Sequence, residues 1–463
     1  SLVLKTVKAL NSLGGVDFAE PNYIQQFSVS ANDSYYYRQW GLKGSYGIDV
    51  EDAWEVTTGS HDIRVGVIDT GIETDHPDLV GNLVTGKSFV SGVTSTTDTF
   101  GHGTHVAGII GAVSDNSMGI SGVCKEVSLV PLRISTDDTW STSNAVNAIN
   151  YAKNLWGTTE QINVINLSGQ NFPNSSSLKN AIGNYPGLFV TAAGNSNKNI
   201  DSSTNYPASF DVNNMIVVGS HTSSGDRSDF SNYGSKSVDI FAPGSSIYST
   251  VPNKTYKYYD GTSMAAPFVT GVAALMLSVN PDLSAKELKA SIMGNAKIPN
   301  VNGTNPLEGL CVSNGILDAY KAVCSVAMET YGTAVMGLRE DVSKEVRHVS
   351  VPKMYNGITI TALDVKAFNN YTTLESFYYD HSISIPSTVV DGCTSLKTVR
   401  EEGGSSFGSG GLDTNWSSWR EVAVLPILNY SDLYANGKTT LQLNYNAYFS
   451  VYGRVSYRFR VSD

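Results

Sequence analysis

The sequence predicts an α/β fold: a three-layer unit with a central parallel sheet covered by helices on both faces, followed by a smaller repeat-containing and β-rich region. Two observations carry this. From Asp62 onward, short apolar runs alternate with stretches of helical period, the signature of parallel strands joined by crossover helices. At 463 residues the chain also exceeds what one hydrophobic core comfortably serves, so a second unit is expected.

The apolar runs at 63–69, 127–134, 164–167, 188–192 and 215–218 read as strands, and helical patterns begin near Gly103 and Ser143. Residues 265–277 are apolar on nearly every face, so this helix must be buried. Its small residues allow close approach of neighbouring backbones, and Pro267 is expected in its first turn, where a missing amide costs little. The stretch 315–323 reads as the closing helix, which places the end of the unit near residue 326 (28–326).

Upstream, 1–27 reads as a short helix at 4–13, a Gly14-Gly15 break and an extended segment at 16–24. Downstream, composition shifts. Residues 367–377 align with 389–399, and Leu374 and Leu396 stand 22 positions apart, within leucine-rich-repeat periods, so 327–400 is assigned to repeats. Two repeats are few for a solenoid, so the segment must lean on a neighbour. The segment 401–463 opens Gly-Ser-rich at 403–411 and ends in alternating strands at 439–445 and 454–461.

A formal net charge of -11 argues against nucleic acid, which requires a basic patch. No apolar run of membrane-spanning length is read, and residues 1–30 lack a signal-peptide layout, so any export signal is expected to have been removed. The four cysteines match no zinc spacing. Cys311 and Cys324 either pair or are buried free thiols.

The chemistry lies in three segments. Gly-Thr-Ser-Met-Ala-Ala-Pro at 261–267 puts the Ser263 hydroxyl at a turn leading into the apolar helix. A serine there is often only a helix cap. Val-Gly-Val-Ile-Asp-Thr-Gly at 65–71 and Gly-His-Gly-Thr-His-Val-Ala-Gly at 101–108 supply the rest, because a serine nucleophile needs an imidazole to take its proton and a carboxylate to orient that imidazole. Asp69, His102 and Ser263 fill those roles. His105, three residues further along the same helix, is read as structural.

These motifs, with Ala-Ala-Gly-Asn at 192–195, resemble the subtilisin-like serine proteases (the subtilase family) over roughly residues 28–326, and the order Asp, His, Ser is theirs. The resemblance implies a secreted serine endopeptidase acting on polypeptides. Asn195 and the Ser263 backbone N–H would stabilise the oxyanion. Substrate would lie along Ser168, Gly169 and Gln170 on one side and the loop from Trp140 to Thr142 on the other, with Ser196 and Asn205 at the rim and floor of a pocket preferring apolar side chains. Calcium would sit between Asp33, Asp78, Asn116 and the carbonyls of Val113, Met118 and Ile120, where hard oxygen ligands suit it. Acidic turns without metal are the alternative.

Residues 1–27 resemble the end of the family's inhibitory propeptide, with processing expected between Phe27 and Asp33, and an ordinary N-terminal arm is the alternative. The region after 326 is similar to BspA-type leucine-rich repeats of surface proteins, which implies a cell-surface or matrix partner and places Cys393 in the repeat core. Two rival functions stay open: an adhesin acting through its repeats, and a latent zymogen blocked by residues 1–27.

Overall fold

The computed structural model describes residues 30–331 continuously and, with gaps, residues 333–422. The 1–27 arm, the Gly-Ser-rich stretch and the strands expected at 439–445 and 454–461 lie outside the described residues.

Strands β1 (Gly59–Asp69), β2 (Lys87–Ser88), β3 (Glu126–Arg133), β4 (Val164–Leu167), β5 (Leu188–Ala192), β6 (Met215–His221) and β7 (Ile240–Pro243) form one sheet. Its order is β2-β3-β1-β4-β5-β6-β7, and every pairing is parallel. Successive residues point to opposite faces, as the strand period requires. Val65, Val67, Leu129, Val190 and Ile216 enter one core, and Ile68, Val130, Ile165, Phe189 and Val217 enter the other. The five expected strands are all present. The two that sequence reading missed are short: β2 has two residues, and the four-residue β7 ends in Pro243. Strand β2 is too short to show a pattern, and the proline that closes β7 argues against a strand.

The helices are α1 (Val50–Trp54), α2 (His102–Gly111), α3 (Thr142–Asn154), α4 (Ser176–Gly183), α5 (Thr262–Val279), α6 (Ala285–Gly294) and α7 (Ala319–Ala327). Side chains of α3 and α4 fill one core, while α1, α2, α5, α6 and α7 cover the opposite face. Helix α3 starts because the Ser141 hydroxyl accepts from the Asn144 amide, and it buries Ala145, Ala148, Ile149 and Ala152 at helical spacing. A hairpin of β8 (Ile247–Val251) and β9 (Thr255–Tyr259) packs on α2 and leads the chain into α5.

Helix α5 is long and apolar enough to cross a bilayer, but nearly all of it is buried inside the fold. It touches β1, β4, β5, β6 and β7, as well as α2 and α7. One expectation is corrected here. Pro267 is the sixth residue of α5, beyond the first turn. A proline at that position removes the N–H that would have bonded the carbonyl four residues earlier, which belongs to Ser263. The Ser168 hydroxyl, 2.8 Å away, donates to that carbonyl instead.

The core continues across residue 326 without a break: Val326, Met328, Val335, Phe368, Leu374 and Phe377 belong to the same buried cluster as α5 and α7. Strands His348–Val351, Ser376–Asp380 and Thr398–Glu402 pair in parallel, with Ser376 opposite Thr398 and Phe377 opposite Val399. That offset equals the 22-residue spacing read between Leu374 and Leu396. All four cysteines are free. Cys311 lies in the core on one side of the sheet and Cys324 in the core on the other, so the pairing left open above is not formed.

Candidate active site

The chain leaves β1 outward to β2 and β3, then crosses back to begin β4 on the other side. Strand order therefore reverses between β1 and β4, and a crevice opens outside their carboxyl ends. Asp69 is the last residue of β1 and Ser168 follows β4. Helices α2 and α5 reach this crevice with their N-termini, which places His102 and Ser263 there as first and second helical residues.

His102 Nδ1 lies 2.8 Å from Asp69 Oδ1 and 2.9 Å from Oδ2. Asp69 is fully buried, and its Oδ1 also accepts from the Thr70 amide at 2.7 Å. A carboxylate held this way fixes the ring orientation and makes Nδ1 the protonated nitrogen, leaving Nε2 as the acceptor. The residue after His102 has to be glycine: a Cβ at Gly103 would overlap the Gly71 carbonyl and crowd the Asp69 side chain. Burial pulls the imidazole pKa down. The charge and hydrogen bond of Asp69, joined by the charge of Asp98, outweigh it and leave His102 above its ordinary 6.5.

Asp98 was not singled out from sequence. It is buried and accepts from the amides of Phe100 and Gly101 at 2.9 Å each, and from the Thr104 amide and hydroxyl at 3.0 and 2.7 Å. It thereby satisfies the start of α2 from outside the helix, where a negative charge is favourable. An acid four residues before the histidine was the available signal.

Asn195 follows the end of β5. Its Oδ1 accepts from both the backbone N–H (2.9 Å) and the hydroxyl (2.8 Å) of Thr262, and its backbone N–H donates to Gln170 Oε1 at 2.8 Å. With Oδ1 committed, the side chain has only its Nδ2 protons to offer the crevice. Thr262 thus sets the Asn195 side-chain amide and Gln170 its backbone, a pairing invisible in the sequence because it spans three elements.

His102, Ser168, Gln170, Asn195 and Ser263 line one open cleft of about 670 Å³, together with Phe100, Trp140, Tyr258, Tyr259 and Asp260. The Trp140 ring meets His102 edge-on at 5.9 Å and reaches Phe172 at 6.5 Å. Gly169, Thr142, Ser196 and Asn205 are not among the lining residues. Thr142 begins α3. Asn205 is buried, donating to the Ala193 carbonyl and accepting from the Asn171 amide, both at 3.0 Å. The Ser196 amide donates to Asn232 Oδ1 at 3.1 Å.

The expected contact between the Ser263 hydroxyl and the imidazole is not made in this geometry. Ser263 Oγ instead donates to the Ser168 carbonyl at 3.0 Å, an acceptor placed beside it by the turn after β4. His105 is buried and stacks on Tyr259 at 4.3 Å. Its Nε2 lies 3.1 Å from the carbonyls of both Ile247 and Lys257. Burial pushes its pKa down to about 3, so it is a neutral ring that fastens the β8–β9 hairpin to α2.

The 113–120 loop closes over two buried acids. Asp33 accepts from the amides of Asp115 (3.0 Å) and Asn116 (3.2 Å). Asp78 accepts from Asn116 Nδ2 at 2.9 Å and the Ile120 amide at 2.7 Å. Asn116 Nδ2 also donates to the Val113 carbonyl at 3.0 Å, and its Oδ1 accepts from the Met118 amide at 2.8 Å. Burial raises both carboxyl pKa values despite these donors, that of Asp78 to about 6. Among the described residues no group of three or more His, Cys, Asp or Glu gathers. Any cation here would therefore depend on amide and backbone oxygens as well as the two acids.

The sequence model of the subtilase family matches residues 60–315. Thermitase from Thermoactinomyces vulgaris is 38% identical over 297 residues, which covers 63% of this chain and 98% of that protein. A thermophilic serine proteinase from Bacillus sp. (strain AK1) is 39% identical over 277 residues, covering 59% of this chain and 66% of the relative. Among solved structures, a protease from Pseudoalteromonas arctica superposes with a TM-score of 0.57 at 30% identity, covering 64% of this chain and 99% of that one. With the parallel sheet, the Asp69–His102 pair and the cleft that His102 shares with Ser263, these likenesses lead to one conclusion: the chain belongs to the subtilase family and is a subtilisin-like serine peptidase.

Proposed function

We propose that the protein is a secreted endopeptidase in which Ser263 is the nucleophile, His102 the general base and acid, and Asp69 the residue that orients and stabilises the imidazolium. The observation that carries this reading is the buried Asp69 carboxylate holding His102 Nδ1 beside a cleft that Ser263 also lines. Rotation about the Ser263 Cα–Cβ bond takes the hydroxyl from the Ser168 carbonyl to His102 Nε2. The proton passes to Nε2 as Oγ bonds the peptide carbonyl carbon. The carbon–nitrogen bond then breaks and the proton leaves with the amine, and water releases the acyl group by the same steps. The oxyanion is met by Asn195 Nδ2 and the Ser263 N–H. Ser168, Gly169 and Gln170 pair with substrate backbone opposite the 140–142 loop, and Ser196 and Asn205 shape an apolar-preferring pocket. Trp140, which lines the cleft and packs on the buried Phe172, supports the apolar preference.

Calcium is proposed at Asp33, Asp78, Asn116 and the Val113, Met118 and Ile120 carbonyls. Two buried acids under this loop suit a hard cation, which would supply positive charge and cross-link the loop once the Asn116 amide turns its oxygen, held here by the Met118 N–H, toward them. Residues 1–27 are proposed as the end of an inhibitory propeptide, and 327–400 as leucine-rich repeats offering a surface to a cell-surface or matrix partner. The parallel pairing of Phe377 with Val399 at the repeat spacing supports the latter.

Four outcomes are expected. A fluorophosphonate probe labels the wild-type chain and not Ser263→Ala; a wild type that resists labelling counts against the enzyme reading. Asn195→Ala lowers kcat by roughly 100- to 1000-fold, and wild-type turnover removes it from the oxyanion site. Because only the neutral imidazole accepts a proton, kcat/KM for a peptide falls as pH drops through a midpoint above 6.5. A profile with its acid limb centred below that value contradicts the Asp69 and Asp98 effect. Chelator lowers Tm by roughly 5 °C or more, and an unchanged melting curve defeats the calcium assignment.

A further inference from the structure

We propose that Thr270 and Asn166 are positioning residues for the nucleophile, setting the direction of a buried hydrogen-bond chain that ends on the Ser263 carbonyl; this rests on the peptidase reading of Ser263. The chain begins with the proline. Because Pro267 carries no N–H, the Ser263 carbonyl needs a donor from outside the helix, and Ser168 Oγ supplies it at 2.8 Å. Ser168 Oγ accepts from Asn166 Nδ2 at 2.9 Å, and Asn166 Oδ1 accepts from Thr270 Oγ1 at 2.9 Å. Thr270 and Asn166 are fully buried and Ser168 nearly so.

A satisfied polar core would account for these contacts one by one, since unpaired buried groups are costly. Their direction adds something else. A hydroxyl has one proton, and an amide has one oxygen side and one nitrogen side. Thr270 Oγ1 lies 3.2 Å from the Ala266 carbonyl and closer, at 2.9 Å, to Asn166 Oδ1; while its proton goes to Asn166, the amide keeps its oxygen toward α5 and its NH2 toward Ser168. Ser168 is then an acceptor on that side, so its single proton points to the Ser263 carbonyl. Without the Thr270 hydroxyl the amide can turn over. Ser168 then donates to Asn166, and the Ser263 carbonyl, already deprived by Pro267, has no donor. The same Ser168 holds the resting Ser263 hydroxyl through its own carbonyl at 3.0 Å. The carbonyl of the residue that supplies both the nucleophile and the proposed oxyanion N–H therefore depends for its donor on a threonine two turns down the helix.

The test uses the full chain with a peptide substrate, counting functional sites by fluorophosphonate titration so that misfolded molecules drop out. Thr270→Val, nearly the same shape without the donor, is expected to lower kcat per titrated site by about tenfold with KM within about twofold. Thr270→Ser restores kcat. Thr270→Ala removes the same hydroxyl and serves if the valine variant does not fold. Wild-type kcat per titrated site in either variant overturns the inference, whatever happens to Tm, because a purely structural role changes only stability. A wild-type chain that neither cleaves peptide nor takes the probe overturns the peptidase reading and this inference together.

Discussion

The burial of α5 against the sheet is the constraint on which the rest of the structure depends. An eighteen-residue helix with almost no exposed face is fixed on all sides by β1, β4 to β7, α2 and α7, so its first turn cannot drift. That first turn carries Thr262 and Ser263. Thr262 reaches out to set the Asn195 amide, and Ser263 exchanges two hydrogen bonds with Ser168, each hydroxyl donating to the other's carbonyl. Close packing of this kind transmits position with little slack, which suits a site in which atoms must meet within fractions of an ångström.

Electrostatics at the site are arranged around a single ionisable ring. Asp69 and Asp98 act on His102 from two directions, one through the sheet and one through the helix start. The neighbouring His105 is kept neutral by burial and is held by two backbone carbonyls. Two histidines three residues apart thus serve different purposes because one faces a carboxylate and the other faces carbonyls. In the proposed mechanism this leaves His102 as the imidazole that takes the Ser263 proton.

The strands, the buried helix and the four motifs were readable because each is local: short apolar runs mark β1, β3, β4, β5 and β6, and the motifs are contiguous. What escaped is non-local or too short. Strand β2 is too short to show a pattern, and the proline closing β7 argues against a strand. The pairing of Gln170 with Asn195 joins segments separated in sequence, and the capping by Asp98 is clear only once the helix start is known. Counted from the start of the apolar stretch at Ala265, Pro267 falls in the first turn, whereas hydrogen bonding starts α5 at Thr262 and makes the proline interior. The substrate-side assignments of Ser196 and Asn205 came from resemblance alone, and their polar atoms prove to be engaged with Asn232, Ala193 and Asn171.

The thiols lead to a different kind of consequence. Cys124, Cys311 and Cys324 are buried, and burial raises all three pKa values, that of Cys324 to about 12. Cys393, half-buried, donates to the Phe368 carbonyl at 3.0 Å and is likewise raised. A thiol that does not ionise neither attacks a disulfide nor coordinates a soft metal. The fold therefore owes nothing to covalent cross-links: an oxidant finds almost no thiolate in it, and a reductant finds no disulfide.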